Sequence, residues 1–224
     1  MLGAGRDVVR LDHAGSVTTV ASVPDAPDGH RLNDARFDGG GRLWVGLMDE
    51  ALAPGSGRLL RVDPYASDPD ATWHEADRGF DLVNGLDWSA DGRTLYVVES
   101  RKRRVYAYPF DPDAGALGER RTLVDLSGIE GVPPDGKPDG LVRDAHGHFL
   151  SPLFDGAAIA RIAPDGTIER TIALPVPRPT SCVFGPDGRT LFVTSARLGL
   201  ADDQLAAAPW SGSLLQLDYA EALQ

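Results

Sequence analysis

Four short segments of this chain share one pattern: FDGGGRLWVG (37–46), SADGRTLYVV (89–98), DAHGHFLSPL (144–153) and GPDGRTLFVT (185–194). Each sets small or acidic residues and a glycine ahead of a basic residue or histidine, then an apolar strand. The glycine supplies the positive φ that a hairpin turn of this kind needs. With Gly41, Gly92, Gly147 and Gly188 as markers, the spacings are 51, 55 and 41 residues. A period of about 40–50 residues with several short strands per unit is the mark of a propeller blade. A second element follows each marker: LLRVDPYA (59–66), VYAYPFDPDAG (105–115), IARIAPDGTI (159–168) and LLQLDYA (214–220), with VVRLDHAG (8–15) in the same set. These are alternating strands that end in acidic or proline-containing turns. A unit therefore reads strand, turn, strand, loop, strand, turn, strand, and the predicted class is all-β.

Counting units shows how much of a ring is present. The chain opens in what reads as the third strand of a unit, at Val8, and three complete units follow over about 31–80, 82–127 and 139–174. A last unit starts at Thr180 and finishes after its third strand. The count predicts an incomplete ring of about four and a half blades in one domain over residues 1–224. Open sheet edges invite pairing with other chains. Self-association is therefore expected near Val8–Arg10 and Leu214–Asp218, and the sequence reads as lacking its beginning.

The composition narrows the partners. With 42% apolar residues the chain can bury a core. Its net charge of −11 disfavours nucleic acid and anionic membranes and suits a protein that holds a cation. The single cysteine, Cys182, allows no internal disulfide, and no apolar run reaches the roughly 18 residues of a membrane helix. The N-terminus shows no secretory h-region, so a cytoplasmic location is predicted.

In a propeller, loops at one end of the central channel converge, which lets polar residues far apart in sequence share a site. The segments just before the innermost strands are HRLND (30–34), LVNG (82–85), KPDG (137–140) and RPTSC (178–182). Asn84 and Asp139 hold equivalent places in successive units, each followed by glycine and an apolar strand. An amide oxygen and a carboxylate converging on one axis suit a divalent cation: Ca²⁺, Mg²⁺, Mn²⁺ or Zn²⁺. The competing interpretation is that Asn-Gly and Asp-Gly mark ordinary turns.

RLNDARFDGGGRLWVGLM, NGLDWSADGRTLYVVES, PDGLVRDAHG and PTSCVFGPDGRTLFVTSAR, in this order, resemble the successive signatures of the gluconolactonase/regucalcin (senescence marker protein) family. GLADDQLAAAPWSGSLLQLD is similar to the closing segment of its bacterial sugar-lactonase members, and the likeness runs from about Arg6 to Asp218. The resemblance implies a six-bladed β-propeller with one divalent metal in its channel and an activity that hydrolyses sugar lactones. It implies that Asn84 and Asp139 are metal ligands, that Asp139 is also the general base, and that Arg31 and Asn33 contact substrate. Glu50 falls within one position of a substrate-binding acid. The family's third ligand, a glutamate near the N-terminus, has no counterpart, so this chain is expected to bind metal weakly and to be a poor enzyme. Leu47 replaces a threonine of the pattern, and Pro152 interrupts a strand where pairing should weaken.

Other polar clusters carry less. The histidines of HGH (146–148) sit in a turn at the far end of the strand and read as solvated. RKRR (101–104) is short and opens a hairpin in an acidic protein, which fits a loop better than nucleic-acid binding. Cys182 precedes an apolar strand and reads as core. The alternatives to a lactonase are a calcium-binding or scaffolding propeller without catalysis and an inactive fragment.

Overall fold

The computed structural model describes residues 1–63 and 73–222; the end of the LLRVDPYA element, from Pro64, lies outside them. The described residues form a β-propeller of five antiparallel sheets standing as blades in a ring. Blade one holds β1 (Leu2–Ala4), β2 (Asp7–Leu11) and β3 (Val17–Ser22). Blade two holds β4 (His30–Phe37), β5 (Leu43–Asp49), β6 (Gly57–Val62) and β7 (Trp73–Phe80). Blade three holds β8 (Val83–Trp88), β9 (Thr94–Glu99), β10 (Arg104–Asp111), β11 (Ala116–Leu117) and β12 (Arg121–Asp125). Blade four holds β13 (Lys137–Pro138), β14 (Val142–Arg143), β15 (Phe149–Phe154), β16 (Ala158–Ile162) and β17 (Ile168–Ala173). Blade five holds β18 (Pro179–Phe184), β19 (Thr190–Ser195) and β20 (Leu215–Asp218), with short helices α1 (Asp202–Ala207) and α2 (Tyr219–Ala222) beside it.

Five blades correct the expected incomplete six-bladed ring of about four and a half. The difference arises at Leu2–Ala4. This segment has no β-branched residue to announce a strand, yet it pairs with Asp7–Val9 across a turn at Gly5, whose φ is 59°. β1 then lies against β4, with Gly3 facing Leu32, so the first sheet is a blade of its own rather than the tail of one.

The repeated turns are built as their glycines require. Gly41, Gly92, Gly147 and Gly188 have φ of 80°, 68°, 88° and 64°, in the left-handed region where glycine carries no Cβ penalty. Each turn delivers the chain into the second strand of a blade: β5, β9, β15 and β19. β5, β9 and β15 are buried on both faces because blades pack face to face, whereas β19 in blade five buries Leu191 and Val193 and leaves Thr194 exposed. Trp44, Leu59 and Phe80 of blade two meet Leu86, Val97 and Tyr108 of blade three. Val98, Val105 and Ala107 of blade three meet Phe149, Leu153 and Ala160 of blade four. Blades one and two join through Val8, Ala21, Leu32 and Val45, and blades four and five through Leu150, Ile159, Leu191 and Val193.

Near the axis the innermost strands come closer than side chains permit. A Cβ on Gly85 would stand 2.3 Å from the Leu141 amide nitrogen and 2.7 Å from the Asp139 carbonyl, and one on Gly140 would stand 2.9 Å from the Ser181 Cα. Neither glycine has a positive φ, so both are needed for backbone approach and not for a turn. Gly85 N–H donates to the Asp139 carbonyl at 2.9 Å, and Gly140 N–H to that of Thr180 at 2.8 Å. Gly85→Ala is expected to cost about 1–3 kcal/mol or more, because its methyl group would push on backbone that cannot rotate away. Urea unfolding measures this; a loss under about 0.5 kcal/mol, the range of an inert surface change, would mean that the blades part without strain.

Candidate functional site

One irregularity recurs in the innermost strands and makes the site. β4 shifts register against β5 between Leu32 and Ala35, β8 shifts against β9 between Val83 and Leu86, and β18 shifts against β19 between Pro179 and Cys182. In blade four the inner strand is broken outright into β13 and β14, with Asp139 to Leu141 between them. Such bulges re-aim side chains that a regular strand would alternate between its two faces. Asn33 and Asp34, Asn84, Asp139, and Thr180 and Ser181 all fall in these irregular steps. Asn84-Gly85 therefore lies inside a strand, which removes the ordinary-turn interpretation.

Pro152 explains the break in blade four. Its carbonyl accepts the Asp139 N–H at 2.9 Å, so this edge of β15 faces the inner strand. The N–H and C=O of a strand residue point the same way, and proline has no N–H to give. β15 continues through Pro152, paired with Ile159 of β16, while the inner strand loses its ladder at Asp139. The weakened pairing expected at Pro152 falls on the residue the site needs.

The polar residues form a connected chain. Arg31 donates through Nη1 to Asn33 Oδ1 and to the Leu32 carbonyl, each at 3.0 Å. Asn33 Nδ2 donates to the Val83 carbonyl at 2.9 Å and to Asn84 Oδ1 at 3.1 Å. Asn84 is buried, donates through Nδ2 to Ser100 Oγ at 3.0 Å and lies close enough to Asp139 to favour its ionised form. The fully buried Glu99 accepts the N–H groups of Asp81 and Leu82 at 2.8 and 3.0 Å and fixes the approach to Asn84. Glu50 reaches the group only through Arg31, 3.7 Å away, with its side chain 63% exposed.

Asp139 is electrostatically unsettled. Burial first, then the neighbouring Asp34, push its carboxyl up to about 7, against a smaller lowering by the Asn84 hydrogen bond. Burial also raises Asp34. Two half-buried carboxylates that repel each other favour a cation or a proton between them. Among the described residues no three His, Cys, Asp or Glu side chains gather as a metal cluster, so the donors at hand are the Asn84 amide oxygen and the Asp139 carboxylate, with Asp34 behind. Oxygen donors fit a hard cation in type. Because the cation must displace a proton from Asp139, its affinity is expected to rise with pH up to about 7 and level off above it. Calorimetric Ca²⁺ titrations at several pH values check this; a flat affinity would place the ligand elsewhere.

Several of these groups line a cavity of about 520 Å³. Its lining includes Arg31, Asn33, Asn84 and Asp139, together with Phe154, Arg101 and Lys137. Sequence reasoning missed Asp34, Ser100, Arg101 and Lys137. Asp34 follows Asn33 directly, and only the bulge shows that both turn toward the axis. Ser100 and Arg101 lie at the end of β9 and in the turn after it, where no residue pattern points inward. His148 is not a solvated turn residue: Nε2 is 3.0 Å from Glu169 and Nδ1 is 3.7 Å from Asp144, with its side chain 18% exposed.

Residues 1–197 match the SMP-30/Gluconolactonase/LRE-like region. The chain is 35% identical over 207 residues to regucalcin of Xenopus laevis, covering 90% of this chain and 67% of that protein. It is 36% identical over 202 residues to regucalcin of Danio rerio, covering 88% and 64%. A solved structure of regucalcin from Agrobacterium tumefaciens, described as a calcium-binding protein, superposes with a TM-score of 0.85 at 30% identity and covers 96% of this chain and 70% of that one. The chain spans about two thirds of the length of these curated relatives. No helix among the described residues is long and apolar enough to cross a membrane.

Proposed function

Because the chain belongs to the SMP-30/gluconolactonase/LRE-like family, we propose that it opens sugar lactones at the channel mouth, with Asp139 as the general base. The observation that carries this is the convergence of Asn84, Asp139, Asn33 and Arg31 on one cavity from three different blades. Asn84 and Asp139 would hold a divalent cation, which when bound polarises the lactone carbonyl and acidifies a water. The oxygen-only donors favour Ca²⁺, Mg²⁺ or Mn²⁺ over Zn²⁺. Asp139, ionised once a cation is held beside it, accepts a proton from the attacking water. Arg31 presents donors to sugar hydroxyls. Asn33 spends its amide on Asn84 and the Val83 carbonyl, which orients Asn84 and leaves substrate to Arg31 and the pocket wall.

Glucono-1,5-lactone hydrolysis, followed by acid release with chelator and then with each cation, tests the reading. Cation-dependent turnover supports it. Saturable cation binding with no turnover of any sugar lactone would favour the second reading, a calcium-binding propeller without catalysis, which the same oxygen donors support. A second copy of the chain is the proposed macromolecular partner. Leu11 and Val17 on blade one and Val183 and Leu214 on blade five are each at least half exposed, and the mass in solution reads out their pairing.

A further inference from the structure

The charge of the cavity is out of keeping with the rest of the molecule. The protein carries −11, yet three of the residues lining the cavity are cationic, Arg31, Arg101 and Lys137, against one carboxylate, Asp139.

The local ion pairs do not cancel the excess. Lys137 Nζ lies 2.8 Å from Asp155, but Arg178 takes the other oxygen of Asp155 at 2.6 Å, so one carboxylate is shared between two cations. Arg31 has only the exposed Glu50 at 3.7 Å. Arg101 lines the cavity and has no hydrogen bond or ion pair within the described residues; its guanidinium acts on Asp81 only at longer range. It stands on the turn that joins β9 to β10, directly after Ser100, which holds Asn84. The cavity's volume is that of a small-molecule site, with Phe154 and Leu52 as apolar wall.

We propose that the ligand of this cavity carries an anionic group, carboxylate or phosphate, and that Arg101, supported by the surplus charge of Lys137, receives it. This rests on the lactonase reading and narrows it: the favoured substrate is a lactone of a sugar diacid or a phosphorylated sugar acid, not the neutral lactone. A guanidinium offers paired donors that match both oxyanions, and at a partly enclosed site such charge-assisted bonds are stronger than neutral ones. The anionic group lies away from the reacting carbonyl, because the Asn84–Asp139 end offers a carboxylate and Arg101 and Lys137 offer cations.

Matched sugars separate this from the lactonase reading. Glucose, glucuronate and glucose 6-phosphate are titrated calorimetrically with chelator present, so that no cation bridges the anion. Turnover of glucono-1,5-lactone is then compared with that of glucaro-1,4-lactone and 6-phosphoglucono-1,5-lactone. At least one anionic sugar is expected to bind about 10-fold or more tightly than glucose, the effect of one hydrogen bond to a charged group. Arg101→Ala should remove most of that preference and Lys137→Met part of it; both positions reach the surface, and thermal unfolding confirms the fold. Whichever anion wins names the source. Equal binding of all three sugars, no binding by any, or a preference that survives in both variants would overturn the inference. Arg101-dependent anion binding without lactone turnover would sink the lactonase reading alone, and turnover of the neutral lactone without any anion preference would sink this one alone.

Discussion

Asp139→Asn is expected to lower cation-dependent lactone turnover by about 10²–10⁴-fold, the usual cost of losing a general base. The same change should leave the metal-free protein as stable as before, or more so, at neutral pH. The sign follows from the direction of the shift. The folded-state pKa of Asp139 is raised from 3.8 to about 7, so between these values the folded protein binds more protons than the unfolded chain. Stability contributed by this group therefore falls as pH rises across that window, and above it the half-buried carboxylate, repelled by Asp34, is a standing cost. An asparagine keeps the shape and removes the charge. Added Ca²⁺ should raise the melting temperature of the parent and not of the variant, since a ligand stabilises only the state that binds it. Turnover within a few-fold of the parent would assign the base to another residue.

Arg161→Met is expected to destabilise the protein by about 3–5 kcal/mol, the cost of breaking a buried ion pair by removing one partner. Arg161 on β16 and Asp144 are 8% and 3% exposed. The guanidinium donates to Asp144 Oδ2 at 3.0 Å through Nη2, to Tyr219 Oη at 2.8 Å through Nε, and to Glu169 through Nη1. Tyr219 donates in turn to Asp144 Oδ2 at 2.9 Å. Methionine fills the space but leaves Asp144 and Glu169 without the guanidinium, and it removes one of the two hydrogen bonds that tie Tyr219, on α2, to blade four. Hydrogen exchange should rise first at residues 215–222. Tyr219→Phe, which deletes one hydroxyl, should cost about 1–3 kcal/mol. Burial pushes the Asp144 carboxyl up, but hydrogen bonds from the His148 N–H, Tyr219 and Arg161 outweigh it and hold the pKa below its ordinary value. Its contribution is thus complete above the unfolded value and is lost as pH falls through the folded one. A stability change under about 1 kcal/mol for Arg161→Met would show that the network contributes little.

The blades were legible because each depends on a local device. Gly92 must take a positive φ, LYVV must be buried on both faces, and both needs are written in consecutive residues. β1 was not legible, since Leu-Gly-Ala has little strand character and pairs only because Gly5 turns it back onto Asp7–Val9. Asn84 and Asp139 could be matched as equivalent positions in the repeat. What they do there could not be read from that match, because it depends on bulges, on the 2.3 Å approach at Gly85 and on the proline opposite Asp139, all of them contacts between strands far apart in sequence. Arg101 and Lys137 were hidden for a simpler reason. RKRR reads as a solvated basic run until the ring places its first arginine over the cavity.

The shared site is tested most directly by growing crystals with Mn²⁺ and measuring anomalous scattering. A single peak is predicted at the channel mouth, within about 2.0–2.6 Å of both Asn84 Oδ1 and an Asp139 carboxylate oxygen. No peak there, or one bound by other residues, would contradict the account.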